Sequence, residues 1–174
     1  MSKYYTLVGS RETPDKSQIC LRELVRRLAK AGWVGRSGGA DGADSTLEEG
    51  LAWYLDKVYD MEVYLPWEGF NGRNGANRGY INASKLSNFP QATDIAEQTH
   101  PAWDKCSRGA RALHSRNVYQ VLGLDLNTPS TFLLCWAIPT NTAVQLAKKH
   151  GAEVINIYGM SFEEALESIS KYIN

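Results

Sequence analysis

Short apolar runs alternate with longer amphipathic stretches along the chain, which is the pattern of buried strands joined by helices. The predicted strands lie at 4–9, 33–37, 62–65, 131–137 and 154–157. The predicted helices lie at 13–32, from a glycine-rich turn to about 57, at 108–122, at 140–150 and after a capping box of Ser161 and Glu164. Strands separated by such helices form right-handed crossovers. The sequence therefore predicts an α/β fold, with a parallel sheet of about five or more strands and helices on both faces.

Three of these helices carry a face of apolar residues that is expected to pack against the sheet. The faces consist of Ile19, Leu24, Val25 and Leu28 in the first helix, Leu47, Leu51, Tyr54, Leu55 and Val58 in the second, and Ala165, Leu166, Ile169 and Ile173 in the last. The segment 67–101 has no such face and is rich in glycine and asparagine. We predict that it is a long inserted loop with at most one short helix near 92–98, and long loops inside domains are more often functional than idle.

Two glycine-containing turns follow the first two predicted strands. The first turn is VGSR at 8–11, and the second turn is GGADGAD at 38–44. Ligands of parallel sheets bind beyond the carboxyl ends of the strands, and the unpaired amides of an opening helix favour anions. The turns therefore predict a nucleotide-type pocket, although close packing of a helix on the sheet would use the same glycines. The candidate ligand-binding residues here are Gly9, Ser10, Arg11, Gly38, Gly39, Ala40, Asp41 and Asp44.

A polar side chain interrupts the apolar stripe of the helix predicted at 108–122. The stripe consists of Ala110, Leu113 and Val121. Counting about 100° per residue, Asn117 lies at its centre and Arg116 at its flank. A buried amide without a partner costs about 1–3 kcal/mol, so Asn117 is expected to be hydrogen-bonded to the backbone, to another side chain or to a ligand. Tying the helix to a loop is the alternative to a role in binding.

Composition limits the classes of function. The chain has 174 residues, 43% of them hydrophobic, which suits a single domain over 1–174. Its 19 basic and 19 acidic residues give a formal net charge of zero, which argues against a general attraction to nucleic acid or membranes. The chain has neither a signal-peptide pattern nor 18 consecutive apolar residues, so we expect a cytoplasmic protein without a membrane partner. Three cysteines and three histidines lack disulfide or metal-ligand spacing, so no metal is predicted. The glycine turns lack the spacing of dinucleotide and Walker motifs, so no cofactor is predicted.

The two turns, the pair Arg116 and Asn117, and the strings RNVYQVLG at 116–123 and PSTFLLCWA at 129–137 carry a family resemblance. Together they resemble the SLOG superfamily, the Rossmann-like group that includes the DNA-processing protein A domain and the Lonely Guy phosphoribohydrolases. The two strings are shared with small stand-alone members, many of them encoded by bacteriophages. The resemblance spans 4 to about 158 and implies a Rossmann-like fold that holds its ligand at the glycine turns.

The chain departs from this superfamily after the strand at 131–137. Members usually have a second glycine turn there, and Lonely Guy enzymes have Pro-Gly-Gly-x-Gly-Thr-x-x-Glu, whose glutamate acts on the N-glycosidic bond. Here the stretch at 138–142 is IPTNT, of which Thr140 is kept as a candidate ligand-binding residue. Gln145 lies in the neighbourhood of the glutamate. Asp41 and Asp44 are the carboxylates that could replace it, and both are also typical helix N-terminal residues.

Three functions stay open. The leading one is binding of a nucleotide-derived small molecule, with Trp67 among the aromatic residues offering a stacking surface for a base. In a phage setting, such binding could sequester a host immune signal in the host cytoplasm. The alternatives are hydrolysis of an N-glycosidic bond and binding of single-stranded DNA. The DNA reading would use Trp103, Lys105, Arg108, Arg111 and Arg116. Superfamily relatives often associate, so a homo-oligomer is expected.

Overall fold

The computed structural model describes residues 3–52, 57–137 and 142–174 and contains a six-stranded sheet. The strands are β1 (Tyr4–Gly9), β2 (Val34–Ser37), β3 (Met61–Leu65), β4 (Tyr80–Asn82), β5 (Phe132–Trp136) and β6 (Glu153–Asn156). The helices are α1 (Asp15–Lys30), α2 (Thr46–Ala52), α3 (Phe89–Thr99), α4 (Arg108–Leu122), α5 (Thr142–Lys149), α6 (Phe162–Ser168) and α7 (Ser170–Ile173). Every pair of neighbouring strands is parallel, which confirms the predicted α/β fold.

Helices cover both faces of the sheet, as predicted. One core contains Leu7 of β1 together with side chains of α1, α2 and α6, and the other contains Val8 with side chains of α3, α4 and α5. Successive side chains of a strand point to opposite faces, so a strand buried on both sides is apolar throughout. This is why the strands appear in the sequence as continuous apolar runs.

The sheet order is β4-β3-β2-β1-β5-β6, so the chain builds outward from β1 in one direction and then returns to its other side. The reversal lies between β1 and β5, where Gly9 is in register with Trp136. Parallel sheets of this kind form a crevice at such a point, because the connections leave the two strands toward opposite faces. The first turn therefore lies beside the crevice.

The segment predicted as a long inserted loop contains β4, which was not predicted, and α3, which covers the short helix predicted near 92–98. β4 pairs with β3 over only three residues. α3 packs through two small residues, Ala92 and Ala96, rather than through a stripe of large apolar ones. A short strand and alanine contacts leave little periodic signal in a sequence, which explains why β4 was missed and α3 was predicted too short.

Two residues assigned to apolar faces are exposed instead. Ile19 is 59% exposed because α1 buries the neighbouring face of Leu21, Leu24, Val25 and Leu28. Val58 is 69% exposed and follows the end of α2. Tyr54 and Leu55 lie outside the described residues. Of the described helices, none is long and apolar enough to span a bilayer.

Candidate functional site

The two turns meet at the carboxyl ends of β1 and β2. The amide of Ala43 donates a hydrogen bond of 3.2 Å to the carbonyl of Ser10. Gly42 has φ +78°, and a β-carbon there would collide with the carbonyl oxygens of Ser10 and Arg11. A left-handed backbone in so close a contact requires glycine. Part of the glycine content of the second turn therefore serves packing.

The side chain of Asp44 is a hydrogen-bond acceptor for the backbone of the second turn. The side chain is 5% exposed, and its carboxylate accepts a hydrogen bond of 3.2 Å from the amide of Gly38. Burial raises the pKa of Asp44 to about 6, against the opposing effects of Arg116 and of the Gly38 and Ala40 amides. Regular helix begins only at Thr46. The amides that the sequence assigned to an external anion thus have a partner within the chain.

Arg116 holds the other side of this turn. Its side chain is only 4% exposed, whereas the sequence placed Arg116 at the flank of the apolar stripe of α4. The guanidinium donates hydrogen bonds to the carbonyls of Gly38 and Tyr64, the latter at 3.1 Å. Its Nε donates to Asn117 at 2.9 Å. Burial lowers the pKa of Arg116 to about 10, and the charge of Asp44 opposes this change. A β-carbon at Gly38 would displace the guanidinium of Arg116 and the side-chain amide of Gln120.

Asn117 is half-buried rather than central to a buried stripe, so its predicted place is wrong, whereas the expected hydrogen bond to another side chain is present. α4 packs against the sheet and also against α3 and α5, and this turns a different set of residues inward. The buried apolar residues of α4 are Val118, Tyr119, Val121 and Leu122. Asn117 accepts the bond from Arg116 and so links this arginine to the rim of the site.

A cleft of about 210 Å³ lies between the end of β1 and α4, at the reversal of strand order. Its lining residues are Val8, Gly9, Arg11, Ala40, Asp44, Ala110, Leu113, His114, Arg116, Asn117 and Gln120. The structure thus brings together six of the candidates, namely Gly9, Arg11, Ala40, Asp44, Arg116 and Asn117.

The other candidates lie elsewhere. Ser10, Gly38 and Asp41 belong to the two turns but are not among the lining residues. Gly39 faces a different neighbour, since its carbonyl accepts a bond of 3.1 Å from Asn71. Thr140 lies outside the described residues.

Gln120 is a cleft residue that the sequence reasoning missed. Its side chain is 1% exposed and lines the cleft, yet neither its Nε2 nor its Oε1 has a hydrogen-bond partner among the described residues. An unsatisfied buried polar group costs about 1–3 kcal/mol, so this amide calls for a partner such as a ligand group, an ion or a bound water. The signal was available in the sequence, because Gln120 interrupts the apolar run of α4.

Arg11 and His114 add polar groups to the cleft. Arg11 is exposed and has no hydrogen bond or ion pair with the described residues. His114 Nδ1 lies 3.0 Å from the hydroxyl of Thr142, and burial, together with His100 and Arg116, lowers the pKa of His114. The cleft is smaller than the roughly 300–1,000 Å³ typical of sites for whole ligands, so it suits a phosphate or a ribose rather than a complete nucleotide.

A larger groove of about 740 Å³ lies on the neighbouring side of α4. Trp67, predicted to belong to the nucleotide pocket, lines this groove instead and is 42% exposed. The guanidinium of Arg111 lies 5.2 Å from the ring centre of Trp103. Arg108 also lines the groove, together with the acidic residues Glu97 and Asp104.

Comparison with protein-family models gives no match, and no curated protein matches either. Among solved structures, DNA processing protein A from Streptococcus pneumoniae is similar with a TM-score of 0.54 and 15% sequence identity, over 99% of this chain and 56% of that chain. The chain therefore spans little more than half of that relative. A second similar structure, with 18% identity and a TM-score of 0.39 over 97% of this chain and 80% of that one, describes single-stranded DNA binding by DNA processing protein A from Helicobacter pylori. The chain has the Rossmann-like fold of DNA processing protein A, which is the fold that the resemblance to the SLOG superfamily implies.

Proposed function

We propose that this protein binds a nucleotide-derived small molecule, with the phosphate or ribose of the ligand in the cleft between β1 and α4. The observation that carries the proposal is the buried amide of Gln120, which lines the cleft without a partner among the described residues. The position of the cleft supports it, since sheets of this topology bind ligands where the strand order reverses.

The residues of the cleft divide into contacts and supports. Gln120 offers an NH₂ donor group and a carbonyl acceptor, and Arg11 offers a guanidinium that has no hydrogen bond or ion pair with the described residues and suits phosphate. Arg116 and Asp44 already bind the backbone of the second turn, so we assign them to holding its shape. The base of the ligand extends beyond the cleft, because about 210 Å³ is too small for it.

We further propose that the ligand is bound without being hydrolysed. Glycosidases generally place two carboxylates around the bond they break. Among the described residues that line the cleft, Asp44 alone has a carboxylate, and it is engaged with the Gly38 amide. Gln145, near the place of the Lonely Guy glutamate, is exposed on α5. Hydrolysis by Asp44 is the alternative, supported by a pKa of about 6, which suits acid–base chemistry.

Replacing Gln120 with leucine should separate binding from stability. We expect the affinity for AMP, ADP-ribose or NAD to fall about tenfold, because one or two hydrogen bonds are lost. The melting temperature should stay the same or rise, because an unsatisfied amide is removed. Isothermal titration calorimetry and thermal denaturation measure the two effects.

The matched control is Gln98→Leu, at an exposed position of α3. This variant should change neither the nucleotide affinity nor the melting temperature. Equal affinity of the parent and Gln120→Leu for every nucleotide bound would contradict the proposed site, as would the absence of any binding. Chromatography of the same mixtures tests for turnover, and free base that disappears with Asp44→Asn would support the hydrolase instead.

Single-stranded DNA binding is a second candidate function, and the groove is the observation that favours it. It combines an exposed tryptophan with two arginines, which suits stacking of bases and contacts with phosphates. DNA processing protein A has the same fold, although this chain is only 15% identical to it. Glu97 and Asp104 lie in the same groove and oppose the attraction to phosphates.

If a DNA strand lies in the groove, Trp67→Ala should weaken the binding of a fluorescent oligothymidylate by about 1–3 kcal/mol, the usual contribution of one stacked base. Fluorescence anisotropy at several salt concentrations measures this. Tyr158→Ala, which removes another exposed aromatic residue outside the groove, is the control. Equal loss in both variants, or no binding by the parent, would exclude the groove.

A further inference from the structure

Three side chains capable of binding a metal converge where α3, α4 and α5 meet. His100 directly follows α3, Cys106 follows a 3₁₀ turn at Trp103–Lys105, and His114 lies in the middle of α4. One nitrogen or sulfur atom from each lies within 4.8 Å of the others. We propose that His100, Cys106 and His114 bind one Zn²⁺ ion. The proposal does not depend on the proposed nucleotide binding.

The distances are close to those of a tetrahedral zinc site. Zinc–nitrogen and zinc–sulfur bonds of about 2.0–2.3 Å place neighbouring ligand atoms about 3.3–3.8 Å apart. The Nδ1 of His100 lies 3.9 Å from the Cys106 sulfur, and the two imidazole rings have centres 4.3 Å apart. The ligand atoms therefore have to move by only about 1 Å to surround an ion, within the reach of side-chain rotations.

The donor set favours zinc over magnesium or calcium, because imidazole and thiolate are ligands for borderline ions while the harder ions prefer oxygen. All three residues are half-buried, so an ion can reach them from solvent. Three protein ligands leave a fourth position, which water fills in sites of this kind.

The surrounding polar groups suit this arrangement. The hydroxyl of Thr142 lies 3.0 Å from Nδ1 of His114, which leaves Nε2 of that ring for the ion. Such outer partners orient metal-binding histidines and are worth about 10- to 100-fold in affinity. Zinc binding at Nδ1 of His100 replaces the bond of 3.1 Å that this atom accepts from the Ala102 amide. The Cys106 thiol releases its proton to solvent as it becomes a thiolate ligand.

Cobalt titration of the untagged, reduced protein tests the proposal. We expect one Co²⁺ per chain, with the visible bands of tetrahedral cobalt and a near-ultraviolet thiolate-to-cobalt band, both removed by Zn²⁺ in competition. Cys106→Ser should abolish the thiolate band, and His114→Ala should weaken binding beyond the roughly 10- to 100-fold expected of Thr142→Val. The matched controls Cys20→Ser and His150→Ala, outside the cluster, should bind as the parent does.

Absence of the thiolate band in the parent, or its retention in Cys106→Ser, would overturn the proposal. So would an equal loss in the Cys20 control. Because a variant could fail to fold, circular dichroism of each metal-free protein is compared with that of the parent. X-ray absorption of the zinc-loaded parent is independent of any variant. One sulfur and two imidazoles around the ion support the site, and a shell of oxygen atoms alone overturns it.

Discussion

Arg116→Met should lower the free energy of unfolding by about 2–6 kcal/mol, because two buried carbonyls each lose a donor at a cost of about 1–3 kcal/mol. The guanidinium donates hydrogen bonds to the carbonyls of Gly38 and Tyr64. Its positive charge also lowers the pKa of Asp44, against the effect of burial. Methionine keeps much of the apolar volume but supplies neither donors nor charge. Urea denaturation followed by circular dichroism measures the change.

Arg108→Met is the matched control, because Arg108 lies on the same helix but is exposed. Its stability should change by less than about 0.5 kcal/mol. A different result would change the role of Arg116. If Arg116→Met retains the stability of the parent and loses only nucleotide affinity, then Arg116 contacts the ligand and does not support the turn.

The fold could be predicted from the sequence because its largest signals are local. β1, β3 and β5 are apolar runs, and α1 has a clear amphipathic face. β4 could not be predicted, since three residues that pair with β3 carry no periodic signal. The sequence predicts α3 only as a short helix near 92–98, because its core contacts use alanines rather than large apolar residues.

The candidate site was only partly predictable, because its chemistry depends on partners far apart in the chain. The sequence indicates that Arg116 is near the site, but its burial depends on Gly38 and Tyr64, which are 78 and 52 residues away. Likewise, His100, Cys106 and His114 come from the end of one helix, a connecting turn and the middle of another helix. No spacing rule for metal ligands describes such a set, so it becomes visible only when the helices are packed.

α4 links the cleft, the groove and the proposed zinc site. His114 both lines the cleft and belongs to the metal cluster, while Arg111 on an adjacent side of the helix lines the groove. A zinc ion at His114 would add positive charge beside the cleft, where we place the phosphate or ribose of the ligand. The position of this one helix therefore determines the geometry of all three sites.

Asp44→Asn should change how stability depends on pH. Burial raises the pKa of Asp44 from its ordinary value of 3.8 to about 6, so the folded protein holds this proton more tightly than the unfolded chain does. Its contribution to stability is therefore complete below a pH of 3.8 and is lost as the pH rises through about 6. This difference in pKa corresponds to about 3 kcal/mol in the free energy of unfolding. As the pH rises from 3.8 to above 6, Asp44→Asn should therefore gain about 3 kcal/mol of stability relative to the parent.

Urea denaturation of both proteins at several pH values measures this difference directly. A constant offset is expected as well, because the amide keeps an acceptor for Gly38 but leaves Arg116 without a countercharge. Only the pH-dependent part of the stability difference measures the titration of the Asp44 carboxyl group. Asp41→Asn, which removes an exposed carboxylate from the same turn, is the control for the loss of one negative charge there. An Asp44→Asn offset that stays constant from acidic to neutral pH would mean that Asp44 titrates alike in the folded and unfolded protein, and it would remove the case for Asp44 as an acid or base in the cleft.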